Sequence, residues 1–293
     1  MKFGYLSQND ADGIRPDHLA TALEERGFDS IWMPEHSHIP VDRRTPYPAG
    51  GELPSGYYRM MDPLISLMAA AQASSTIELF TGICLVHEHD LLDLACAAAT
   101  LDVLSDGRFH LGIGVGWNEE ELENHRSDLP FKMRYSAMRE RVEALRICWA
   151  EEKASYNGQW DKFTESYVYP KPVNGTIPVS LGNAGPVGIK HAAEYADEWC
   201  PIDASMLNTT GKPDVPGAIE LFRRLAEEAG RNPDDIPITI HSFGVNTGRF
   251  EQYAKLGVER IVLFPPTMQI MSPDDTLQHL DHLTEVVVSK LGD

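Results

Sequence analysis

The stretch Arg108–Leu122 reads RFHLGIGVGWNEEEL. Its first half is a short apolar run of strand length, and its second half carries acids where a helix would start. A strand that runs through glycines into a helix is a unit of α/β folds and a common seat for a cofactor. The glycines follow G-x-G-x-G, not the dinucleotide pattern G-x-G-x-x-G. No Lys-Ser/Thr follows, so a phosphate-binding P-loop is excluded too. Alternate strand residues share a face, so Gly112, Gly114 and Gly116 strip one side of its side chains. Two readings stay open: a flat ring lies against that bare backbone, or a neighbour packs tightly on it.

Working outward, seven more strand-like runs flank this one: 2–7, 28–34, 77–86, 177–182, 197–202, 236–243 and 259–264. Several are near-continuously apolar, as parallel strands covered on both faces must be. Helical periodicity lies between them. Met138, Val142, Leu145 and Trp149 share one helical face, as do Ala218, Phe222, Leu225 and Ala229. Leu277, Leu280, Leu283 and Val287 repeat the pattern near the C-terminus. Eight strands with intervening helices predict an α/β fold, a (β/α)8 TIM barrel over 1–293 as a single domain; a doubly wound sheet is the alternative. Two segments exceed simple connections. Residues 37–60 carry Pro, Gly and Tyr and suit a lid, with Tyr47, Tyr57 and Tyr58 as cover. Residues 153–176 precede the fifth strand, and YNGQW within them marks a hairpin turn.

The composition narrows the partners. The 293 residues carry 25 Lys+Arg against 44 Asp+Glu, a net charge of −19. Such a surface repels nucleic acid and anionic membranes, so neither is expected as a partner. No apolar run reaches the length of a membrane span, and no leader pattern precedes the first strand. The four cysteines are far apart and sit mostly in apolar runs, which suits buried thiols of a cytoplasmic protein.

Strand ends carry the chemistry-bearing residues. His36 and His38 follow the second strand, and His87 and His89 follow the third. At period two each pair shares a face, so the four would suit a divalent metal and a hydrolase. Both pairs lie at C-terminal strand ends, where barrel enzymes place their sites. After the fifth strand, Gly182, Asn183, Ala184 and Gly185 precede a helix whose free N–H groups would suit a phosphate, or form a plain turn. Lys190, His191 and Lys212 would add positive charge there.

These pieces, in this order, resemble the bacterial luciferase-like superfamily of flavin and deazaflavin enzymes. The resemblance is carried by ALEERGFDSIWMPEH (22–36), IELFTGICLV (77–86), LDVLSDGRFHLGIGVGWNEEEL (101–122), MRYSAMRERVEALRICW (133–149), YVYPKP (167–172) and AEYADEWCP (193–201). GVGWNEEE and YNGQWDKF resemble most the branch that uses the deazaflavin coenzyme F420. The resemblance implies a (β/α)8 barrel with the coenzyme ring in its C-terminal mouth. It implies a cis peptide at Gly82–Ile83 behind the ring, and Glu35 and His36 by the reactive face as catalytic residues. It implies Gly114, Val115, Gly116 and Trp117, with Gly182, Asn183, Ala184 and Gly185, around ring and phosphate tail. No metal is implied. The expected activity is hydride transfer between F420 and a small organic substrate, in a homodimer. FMN and a monooxygenase reaction are the alternative. Sugar-phosphate dehydrogenases of the family carry an acid where this chain has Trp117, so a hydrophobic substrate is expected.

Overall fold

The computed structural model describes residues 1–207 and 212–292. Eight parallel strands make the barrel: β1 (Lys2–Leu6), β2 (Ser30–Met33), β3 (Glu78–Thr81), β4 (Phe109–Gly114), β5 (Val179–Leu181), β6 (Glu198–Trp199), β7 (Thr239–Ser242) and β8 (Arg260–Leu263). Neighbours in the chain are neighbours in the sheet, and β8 pairs with β1. Two single bridges, Trp199 to Ile238 and Ile202 to His241, join β6 to β7 and nearly close the ring. All eight expected strands are present. The expected run 77–86 is the exception in shape, because it breaks after Thr81. The Gly82–Ile83 peptide is cis, and Cys84–Leu85 then returns to pair with β4.

Helices cover the outside and begin where the sequence marks a start. Pro16, Pro63, Pro186 and Pro273 each open a helix, where a missing N–H costs nothing. Asp62, Asp90, Asp214, Asn246 and Ser272 accept N–H bonds from the first turns of theirs. The C-terminal stripe behaves as its period requires: Leu280, Leu283 and Val287 are buried. Of the cysteines, Cys84, Cys148 and Cys200 are buried but Cys96 is exposed, contrary to the apolar context of its helix.

Inside the barrel the side chains stack in layers. Trp32, Phe80 and His110 lie in register on β2, β3 and β4. Their rings stack at 3.9 and 4.2 Å. Below them, buried Arg260 is held by Glu78 and, at 3.5 Å, by Glu198. A buried charge needs such partners. This packed interior confines any site to the mouth. The segment 153–176 forms an antiparallel hairpin, Ala154–Asn157 with Lys162–Ser166, turning at the expected YNGQW.

Candidate active site

His36 follows β2 at the C-terminal mouth and is 8 % exposed. Its Nδ1 lies 2.8 Å from Glu121 Oε2, and its Nε2 lies 3.3 Å from the indole Nε1 of Trp117. An indole nitrogen only donates, so Nε2 accepts and the proton sits on Nδ1. The neutral ring is thus clamped in one tautomer between a carboxylate and an N–H. Glu121 is 1 % exposed, and its other oxygen, Oε1, is buried with no hydrogen-bond partner among the described residues.

Glu121 is the residue that sequence reasoning missed. It sits in the first turn of the helix Glu119–His125 that follows the glycine strand. The acids of NEEEL read as a helix start, and Glu120 and Glu121 are both buried. Three acids in a row directly after a candidate cofactor strand were the available signal.

Glu35, expected beside His36, faces elsewhere. Its Oε2 accepts from the Leu85 N–H at 2.6 Å, and its Oε1 lies 2.7 Å from His89 Nε2. Cys84 completes this buried group, in which one atom of each residue lies within 4.8 Å of the others. Burial opposes a charge on His89, but the Glu35 hydrogen bond and charge outweigh it and raise its pKa. Glu35 therefore pins the chain just after the Gly82–Ile83 bend.

The two H-x-H pairs do not converge. His36 belongs to Glu121, His38 to Ser37 and Asn124, His87 to the Arg134 carbonyl, and His89 to Glu35. Adjacent side chains leaving a strand end part company once the backbone turns. A hydrolase site built on all four histidines has no geometric basis here.

The glycines resolve differently from the open slot. A Cβ on Gly112 would stand 2.1 Å from the Thr81 carbonyl oxygen, and one on Gly114 would stand 1.8 Å from Ile83 Cδ1. Both bare positions are filled by β3 and its bend. Gly116 is needed for its backbone, with φ +71°. Ile83 also reaches the fifth strand, its Cγ2 lying 3.5 Å from where a Gly182 Cβ would be. Half-buried Ile83 thus bridges the glycines of β4 and the turn after β5. Val115 is buried beside them.

The turn Gly182–Gly185 leads into the helix Pro186–Tyr195, whose first turn has no side-chain cap. Among the described residues, Asn183 Nδ2 is buried without a partner, and nothing lies within 4 Å of where a Gly185 Cβ would be. Ala184 is buried behind it. Free N–H groups, an unused amide and open space suit an anion. The expected charges are weaker. Burial, then Arg139 and Lys190, lowers His191 to about 4, so it is neutral at pH 7. Lys190 lies 3.7 Å from Glu194. Lys212 is exposed, just beyond residues 208–211.

The segment 37–60 lies over this mouth. The Tyr57 ring is 5.2 Å from His36, Tyr47 is 5.9 Å from Trp117, and the two tyrosines meet edge to face at 5.4 Å. Tyr58 points outward and is exposed. The segment is moored to the acidic helix: the Thr45 N–H donates to Glu120 at 3.2 Å, and Arg44 lies 3.2 Å from the same carboxylate.

Known proteins share this chain's sequence pattern and fold. The model of the luciferase-like monooxygenase family matches residues 1–261. The chain belongs to that family. This luciferase-like chain is 35 % identical over 289 residues to an uncharacterized protein of Mycobacterium tuberculosis, covering 97 % of each. It is 26 % identical to the F420-dependent glucose-6-phosphate dehydrogenase of Amycolatopsis mediterranei, over 79 % of this chain and 67 % of that one. The coenzyme F420-dependent tetrahydromethanopterin reductase of Methanopyrus kandleri shares the fold, with TM-score 0.74, 19 % identity and 98 % coverage of both chains. No helix among the described residues of this luciferase-like protein is long and apolar enough to cross a membrane.

Proposed function

We propose that this luciferase-like chain is a cytoplasmic, homodimeric oxidoreductase that moves a hydride between coenzyme F420 and a small apolar organic substrate. The observation that carries the reading is the clamped His36, one tautomer held between Glu121 and Trp117 at the barrel mouth. The F420-dependent relatives support the choice of coenzyme.

The residues at the mouth fit such a coenzyme. Gly82, Ile83, Gly114, Val115, Gly116 and Trp117 would hold its ring, with Ile83 as the surface beneath. The open turn Gly182, Asn183, Ala184 and Gly185 would hold its phosphate. Bound there, the deazaflavin supplies the carbon that accepts or donates the hydride. His36 Nε2 takes the proton from a substrate hydroxyl, or returns it to a carbonyl oxygen, once the Trp117 N–H gives way. An imidazole has one nitrogen to accept a proton and can give it back, so it serves either direction. The Glu121 carboxylate fixes the tautomer and stabilises the imidazolium. Glu35 acts at one remove, by holding Leu85 and the bend behind Ile83. Tyr47, Tyr57 and Trp117 exclude water and supply an apolar wall.

The family's monooxygenase members favour one second reading, an FMN-dependent monooxygenase. Parallel fluorescence titrations decide. Tighter binding of F420 than of FMN supports the proposal; equal or tighter binding of FMN puts the monooxygenase first.

A further inference from the structure

Glu35, Cys84 and His89 bring a carboxylate, a thiol and an imidazole together beside the Gly82–Ile83 bend. One oxygen, the sulfur and one ring nitrogen all lie within 4.8 Å of one another. The chain has 44 acids, 11 histidines and 4 cysteines, yet among the described residues only here do three such groups converge this closely.

We propose that these three residues bind a divalent ion of the zinc class, which enters from the cavity beside His89. The proposal does not rest on the coenzyme reading.

The donor set argues for the ion. Thiolate, imidazole and carboxylate are the ligands of zinc, and three from the protein leave one position open. In a tetrahedral site with bonds of about 2.0–2.3 Å, ligand atoms stand about 3.3–3.6 Å apart. Glu35 Oε1 and His89 Nε2, 2.7 Å apart, would separate slightly. The sulfur, at most 4.8 Å from either, would close by about 1 Å. The other carboxylate oxygen is already held: Glu35 Oε2 accepts from the Leu85 N–H at 2.6 Å, which orients Oε1.

Access is one-sided. Cys84 is fully buried and Glu35 nearly so. The His89 side chain is 20 % exposed and lines a cavity of about 530 Å³, together with Glu88, His125 and Trp160.

Charges and protons balance. The Glu35 carboxylate and a Cys84 thiolate cancel a divalent cation, so the buried site ends neutral. Burial, then Glu35 and Glu88, hold the Cys84 thiol well above its usual range, and Arg141 opposes them. A bound ion deprotonates such a thiol outright, so the sulfur–metal bond forms as the thiol proton leaves to solvent. A carboxylate only accepts, so His89 Nε2 now carries a proton, which must also leave that nitrogen. An imidazolium loses it to solvent; a neutral ring carries its one proton on Nδ1 instead. Filled, the site would tie the end of β2 to the residue after Ile83.

The test titrates metal-stripped, full-length protein with Co²⁺ under a thiol-free reductant, because d¹⁰ zinc is spectroscopically silent. A thiolate-to-cobalt charge-transfer band in the near ultraviolet should saturate at one ion per chain, and zinc should displace it. Cys84→Ser should abolish the band, while Cys96→Ser, which removes the exposed cysteine, should leave it intact. His89→Gln should weaken cobalt binding about ten-fold or more, no less than losing a residue that supports a ligand costs. It alters the most exposed of the three, so it carries the test should Cys84→Ser not fold. No band in the unaltered protein overturns the site. So does a band that persists in Cys84→Ser, vanishes in Cys96→Ser or keeps its affinity in His89→Gln.

Discussion

Ile83 occupies the space that Gly114 leaves: a Cβ on Gly114 would stand 1.8 Å from Ile83 Cδ1. The two lie on adjacent barrel elements, the glycine at the end of β4 and the isoleucine at the bend after β3. The glycine strand therefore serves the site indirectly. It lets Ile83 lie in the mouth, and Ile83 is the surface a ring would meet.

Gly114→Ala should destabilise the protein by about 1–3 kcal/mol, the usual cost of overpacking. The double variant Gly114→Ala/Ile83→Ala should regain most of that loss, because the clash is with one side chain and not with backbone. Denaturant midpoints of the four proteins check this. Additive losses would show that Gly114 is needed for another reason.

Glu121→Gln keeps a hydrogen-bonding group beside His36 Nδ1 and removes the charge that stabilises its imidazolium. Turnover should fall by about 10²–10⁴ while coenzyme affinity changes little. Glu35→Gln should act differently, loosening the bend behind Ile83 and weakening coenzyme binding. If Glu121→Gln kept full turnover, the histidine would be working without its carboxylate.

The barrel was legible because buried parallel strands are apolar runs, and several of the eight are such runs. The break at Gly82–Ile83 is not an apolarity signal, and only the family resemblance located it. His36 was legible from its place at a strand end. Its partner Glu121 was not, because a pairing across 85 residues leaves no local period. The same limit governs the glycines. Alternation shows which side of β4 is bare, but Thr81 and Ile83, which fill it, come from another strand. The positive charge expected of His191 failed for a related reason: burial sets its protonation, and burial is a tertiary property.

Stability should fall on both sides of neutrality. Burial lowers His87, His110 and His241 to about 4, against about 6.5 in an unfolded chain. The folded state then binds fewer protons, so their contribution is lost as pH drops through that window. Glu88 has the opposite sign. At about 9, against about 4.3 unfolded, it binds more protons when folded, and its contribution is lost as pH rises. Glu88→Gln should flatten the alkaline limb, and His110→Phe, which keeps the stack on Phe80, should soften the acid limb. Melting curves across this range check both; an alkaline limb unaltered in Glu88→Gln would contradict the protonated carboxyl.

The segment 37–60 should tighten when the site fills. Hydrogen exchange around Arg43–Tyr47 and Ser55–Tyr58 should slow on coenzyme binding. Tyr57→Ala should raise KM for an apolar substrate more than it lowers coenzyme affinity. Equal exchange with and without coenzyme would mean the segment is a fixed wall.

Isotope transfer tests the central claim most directly. Small apolar alcohols deuterated at the carbinol carbon would be incubated without oxygen with oxidised F420 and the protein. Apolar carbonyls would be incubated in turn with deuterium-labelled reduced F420, and both substrate and coenzyme weighed by mass spectrometry. The account predicts that one deuterium moves between substrate carbon and coenzyme ring, and that Glu121→Gln slows its movement. Tight binding of F420 with no deuterium transfer in either direction, alongside oxygen insertion when FMN and oxygen replace it, would contradict the account.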